Sequence, residues 1–158
     1  MPPGRTRATP ARRSHPGGST PWFVGVMSLL LLGACGRAVP LDPPSPGPQD
    51  AEICAAIQAR LPDRVAGEYR LSVSPDVANT AAWGSPAITW RCGVPQPDAY
   101  EPTASVLNLD EVLWFPQRSE SGVRYTSVQQ PHIEIEVPSL YPDPASVLKS
   151  LSPSLRAG

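Results

Sequence analysis

Side chains that carry chemistry are scarce in this sequence. Its 158 residues include 3 Cys, 2 His and a single lysine, Lys149. No Gly-rich phosphate loop occurs, and no His-x-x-x-His pair that would hold a metal. The spacing of the cysteines suits neither a redox pair nor a zinc site. No acid precedes Asp42, and no apolar run is long enough to span a bilayer. The longest, Trp22 to Ala34, has 13 residues, against roughly 20 for a membrane helix. A formal net charge of −1 argues against nucleic acid as a partner, because phosphate contacts need a cationic surface. No cofactor is implied.

Proline is what the chain has in excess, at 22 residues. The charge is also unevenly spread. Arg5, Arg7, Arg12 and Arg13 are the only charged residues before Cys35, whereas the chain from Cys35 onward carries −5. A basic flank, a short apolar core and small residues at its end are the layout of a secretory signal. Its last four residues, Leu32-Gly33-Ala34-Cys35, resemble the lipobox of bacterial lipoproteins. That resemblance implies cleavage before Cys35 and attachment of a diacylglyceryl thioether to its thiol. Residues 1–34 are therefore expected to be a lipoprotein signal peptide. The mature chain is expected on the extracytoplasmic side of the cell membrane, anchored through Cys35.

Residues 35–49 read as lipidated Cys and tether. Five of the nine residues from Pro40 to Pro48 are proline, so an extended spacer reaching roughly 40 Å is expected. A single domain is expected over 50–158. Asp50 suits an N-cap, and Ile53, Ile57 and Leu61 recur at helical spacing up to Pro62. Short alternating segments follow. In Ile88 to Cys92, the apolar Ile88, Trp90 and Cys92 oppose Thr89 and Arg91. Val106–Leu109 and Val112–Phe115 flank Asp110 and Glu111 as a hairpin. Val123–Val128 and His132–Val137 are two further strands. Asp143-Pro144 opens a last helix with Val147, Leu148 and Leu151 on its apolar side, closed by Ser152-Pro153. The fold class is α+β: an antiparallel sheet of about five to six short strands between an N-terminal and a C-terminal helix. With Cys35 assigned to lipid, Cys54 and Cys92 are an even pair on an exported chain, which predicts a disulfide.

Few residues remain for a site. His132, Glu134 and Glu136 share one strand face. Such a row serves cation binding or acid–base chemistry in some sheets, and in most is simply the solvated face. Trp83, Trp114 and Tyr141 lie near strand ends and turns, where they would line a pocket or fill the core. Arg91 points away from Trp90 and would meet an anion or a surface carboxylate. Trp83, Arg91, Trp114 and Tyr141 together make the candidate binding face.

Taken in order, Trp83-Gly84 with Pro86, Arg91-Cys92-Gly93-Val94-Pro95, Trp114-Phe115-Pro116, Val137-Pro138 with Tyr141, and Val147-Leu148 with Leu151-Ser152 resemble a known family. It is the actinobacterial lipoprotein family called domain of unknown function 3515, matched over about residues 50–155. The resemblance implies pairing of Cys92 with a cysteine near the domain's start, which Cys54 supplies. It also leads one to expect a Thr-rich strand ending in Arg. Here Tyr125 to Gln130 ends in Gln, so no anion-binding role is carried over.

The expectation for function is a membrane-anchored envelope module that binds an envelope protein or a cell-wall component without catalysis. The alternatives are an envelope hydrolase or transferase using His132, Glu134 or Glu136, and a structural subunit of a larger envelope complex.

Overall fold

A computed structural model describes residues 38–156. Residues 1–34, expected to be a signal peptide, and Cys35 lie outside the described residues. The chain divides after Gly33, and the unit from Ala34 onward holds the whole described core.

Two antiparallel meanders build the sheet. The first comprises β2 (Arg64–Val65), β3 (Glu68–Leu71), β5 (Thr80–Trp83) and β6 (Ile88–Cys92). The second comprises β7 (Leu107–Leu109), β8 (Val112–Arg118), β9 (Gly122–Ser127) and β10 (Ile133–Pro138). They join at the centre, where β10 pairs with β6, to give the order β2-β3-β5-β6-β10-β9-β8-β7. A separate parallel pair joins β1 (Val39–Pro40) to β4 (Val73–Ser74).

The α+β class is as expected, but the main sheet has eight strands rather than five or six. The additional strands are short and carry no alternation to read. The β2–β3 hairpin turns on Ala66 and Gly67, both at positive φ (52° and 83°), a turn geometry for which Ala-Gly is a weak signal.

Both helices pack on one face of the sheet. Helix α1 (Pro48–Gln58) buries Cys54 and Ile57, and α2 (Pro144–Leu155) buries Val147, Leu148 and Leu151. Opposite them lie Trp83, Ile88, Trp90, Trp114, Ile135 and Val137. The Cys54–Cys92 disulfide forms, with Cα atoms 5.6 Å apart, and fastens α1 to β6. Asp143 caps α2 by accepting from the Ser146 N–H at 3.1 Å.

Local expectations shift at four points. Helix α1 starts at Pro48, which fits the first helical turn because its missing N–H has no partner there. It ends at Gln58, before Leu61 and Pro62. Ile53 is 46% exposed and lies off the buried stripe. Pro153 sits inside α2, which continues to Leu155.

The proline-rich stretch lies against the domain rather than standing off as a spacer. Val39 N–H donates to Ser72 O and Leu41 N–H to Ser74 O, at 2.9 and 3.0 Å. Pro46 packs over Gly93. We call residues 39–47 the strap. Its proline rings leave few donors to satisfy and hold it extended across the sheet.

Candidate functional site

Strand alternation puts a second set of side chains on the face away from the helices. The registers of β5, β6, β10, β9 and β8 align Thr80, Arg91, Glu134, Thr126 and Phe115 in one row. Ala82, Thr89, Glu136, Arg124 and Gln117 form the next.

Glu134 is the centre of this face and is only 7% exposed. Its Oε1 accepts from Arg91 Nε at 3.0 Å and from Arg91 Nη2 at 2.6 Å. Its Oε2 lies 3.4 Å from Arg124 Nε, an ion pair without hydrogen-bond geometry. Arg91 Nη1 also donates to the strap at Asp42 O, 3.4 Å away. Arg124 Nη2 donates to Glu136 Oε2 at 3.3 Å, and Ser121 donates its hydroxyl to the other Glu136 oxygen. Burial pushes the Glu136 carboxyl up. Hydrogen bonds from Ser121 and Ser119, with the charge and N–H of Arg124, outweigh it and leave the group below its ordinary value.

His132 immediately precedes β10 and is 9% exposed. Its Nδ1 lies 2.9 Å from Ser127 O. A carbonyl only accepts, so Nδ1 carries the proton and Nε2 is the remaining ring nitrogen. The Ser127 hydroxyl accepts from Ile133 N–H at 2.7 Å, which fixes the turn that carries the imidazole.

The strap and the loop after β6 rise on either side of this floor. Between them runs a groove of about 1030 Å³, lined by Arg91, Arg124, Glu134, His132, Gln117 and Gln130, with Pro43–Gly47 on one wall and Gly93–Ala99 on the other. A smaller extension of about 360 Å³ reaches Thr89 and Glu136 beneath Pro40–Pro43. Tyr100 packs edge-on against Phe115, centroids 5.4 Å apart, which holds the second wall to the floor.

The expected site residues divide between two faces. Arg91, His132, Glu134 and Glu136 come together. Trp83 and Trp114 are fully buried on the helix side. Trp83 pairs with Ile88 across β5 and β6, so alternation excludes it from the face of Arg91. Its indole N–H donates to Pro62 O at 2.9 Å, as befits a core tryptophan. Tyr141 lies elsewhere, its hydroxyl donating to Pro86 O at 3.0 Å. Burial, reinforced by the Glu68 carboxylate, holds that phenol above its usual value. The four-residue binding face is therefore not assembled.

The acid row also differs from a solvated surface. It is covered by the strap and neutralised by two arginines. Arg124 and the strap are the parts that sequence reasoning missed. Arg124 and Thr126 alternate on β9 in phase with Glu134 and Glu136, which is the signal that would have found Arg124.

The profile of the family described as proteins of unknown function, DUF3515, matches residues 34–157. The chain belongs to this family. The match takes in the strap, the groove floor, both cysteines of the disulfide and both helices. No curated protein and no solved structure gives a significant match. Among the described residues, no helix is long and apolar enough to cross a membrane, and no group of three or more His, Cys, Asp or Glu is placed to hold a metal ion.

Proposed function

We propose that this DUF3515 protein is an envelope lipoprotein of the actinobacterial type, anchored through Cys35 on the outer face of the cytoplasmic membrane. Its domain is a non-enzymatic binding module. The groove over Glu134 receives part of an envelope protein or a cell-wall component.

One observation carries the binding reading: the ionised groups of the groove floor are already engaged with one another. Glu134 is held by Arg91 and Arg124, and Glu136 by Arg124 and Ser121. Glu136, held ionised by its partners, is a poor proton donor. The same network makes a rigid polar floor. It leaves Gln117, Gln130 and the 40%-exposed Arg124 side chain to meet a ligand. On the floor Arg91 and Arg124 offset Glu134 and Glu136, while Asp50 and Asp98 on the walls add negative charge, so the fitting ligand is polar and not strongly anionic, such as a glycan or an extended peptide. The disulfide supports an oxidising compartment. The anchor reading is supported by the lipobox-like Leu32-Gly33-Ala34-Cys35, at which the family match begins.

Two measurements in cells test this proposal. Palmitate labelling and membrane retention should both be lost in Cys35→Ala, and retention without the thiol overturns the anchor. A photo-crosslinking side chain at Gln117 should capture one envelope component, and Arg124→Ala should abolish the capture. Capture of abundant proteins at random, unchanged by Arg124→Ala, overturns the groove as a binding site.

A further inference from the structure

The strap determines how far the domain stands from its anchor, and which end faces it. An extended spacer would put the domain tens of ångströms from the bilayer. With Val39 in a strand pair, only four residue steps separate it from Cys35. At about 3.5 Å per residue, that is a reach of roughly 14 Å. Strand β1 runs parallel to β4, with Val39 beside Val73. The backbone therefore enters β1 from the side of Ser72 and β3. Four steps back along β3 from Val73 is Tyr69.

That end of the domain carries two of its most exposed large apolar side chains. Tyr69 is 65% exposed and Leu140 is 66% exposed. Both are tied to the turn between β5 and β6: Gly84 N–H donates to Tyr69 O, and Tyr141, next to Leu140, donates to Pro86 O. The Arg64 guanidinium stacks 3.9 Å over the Tyr69 ring. An exposed tyrosine with a cation on its face, beside an exposed leucine, suits the headgroup layer, where an amphipathic ring and an arginine are both favoured.

We propose that this end, formed by the β2–β3 hairpin and the Leu140–Tyr141 turn, rests on the bilayer that holds Cys35. Tyr69 and Leu140 enter the interface and Arg64 meets lipid phosphate. The domain is then held against the membrane instead of sampling the space above it. The inference rests on Cys35 as the point of attachment.

The test imposes that attachment chemically, so its outcome does not depend on lipidation in cells. The chain from Cys35 onward retains the entire described core, and with the disulfide closed Cys35 is its free thiol. It is coupled to a maleimide phospholipid in vesicles of equimolar phosphatidylcholine and phosphatidylglycerol. Hydroxyl-radical footprinting then compares it with the same protein capped by a soluble maleimide. Oxidation of Tyr69 and Leu140 should fall several-fold on vesicles, while Ile53 on α1 stays unchanged. Tyr69→Ser, at an exposed position, should leave the fold intact and return Leu140 to its unprotected rate. No protection, or equal protection of Ile53, overturns the proposed orientation. Membrane retention of Cys35→Ala in cells would instead overturn the anchor itself.

Discussion

Gly93 lies directly beneath Pro46, at a φ of +82°, so a Cβ at position 93 would run into the proline ring. This contact closes the groove at one end and fixes the strap to the strand that carries Arg91. Gly93→Ala is expected to cost about 2 kcal/mol, from left-handed backbone strain and overlap with Pro46. The loss should be local first. Hydrogen exchange at Val39 and Leu41, whose N–H groups bond to β4 and its flank, should speed up more than at β10.

Glu134→Gln should destabilise the domain by roughly 2 kcal/mol in chemical unfolding. The substitution leaves the Arg91 and Arg124 guanidinium groups facing a neutral amide in a covered site. The cost stays below that of a fully buried pair because Arg124 is 40% exposed. A change of only a few tenths would show that solvent screens this network as it does a surface pair.

The pH dependence follows from Glu136. Its folded value lies below the ordinary 4.5, so its ionised form stabilises the fold. That contribution is complete above the ordinary value and fades as pH falls through the lower folded value. Unfolding of the wild type and of Glu136→Gln should therefore differ most near neutral pH, and the two curves should converge in acid. A gap that widens on acidification would reverse the assignment.

Asp110 and Glu111 both adopt positive φ, 50° and 70°, in the two-residue turn between Leu109 and Val112. Each pays the left-handed penalty that glycine avoids. Glu111→Gly is expected to raise stability by about 1 kcal/mol, seen as a Tm increase of about 4 °C.

Removing the disulfide with Cys54→Ser and Cys92→Ser should cost up to about 4 kcal/mol, from the entropy of the loop it closes. The sequence separation of the two cysteines is 38 residues. Denaturant unfolding of the double variant, with Cys35 blocked in both proteins, measures it.

Much of the domain was legible from sequence where one local rule acted alone. Alternation in Ile88–Cys92 and Ile133–Pro138 fixed which residues face the helices. Asp143-Pro144 marked the start of α2, and the cysteine count pointed to the Cys54–Cys92 bond. Composition misled where tertiary contact overrode it. Five prolines read as a free spacer, yet the same stiffness that extends a spacer suits a strap. Trp83 and Trp114, near turns, were open between pocket and core, and the register with neighbouring strands puts both in the core. The groove floor was half visible: Glu134 and Glu136 were in view, while Arg124 became meaningful only once β9 lay beside β10.

The junction of β6 with β10 has a kinetic consequence. It joins residues more than forty apart in sequence across the middle of the sheet, so these are the least local of the described strand pairings. Neither meander can bury its side of Trp90 and Ile135 until the other has arrived. A chain ending before Ile133 would present β6 as an open edge with the core behind it uncovered. Folding therefore waits for the last sixth of the polypeptide, and the domain closes as one cooperative event rather than growing from its amino terminus.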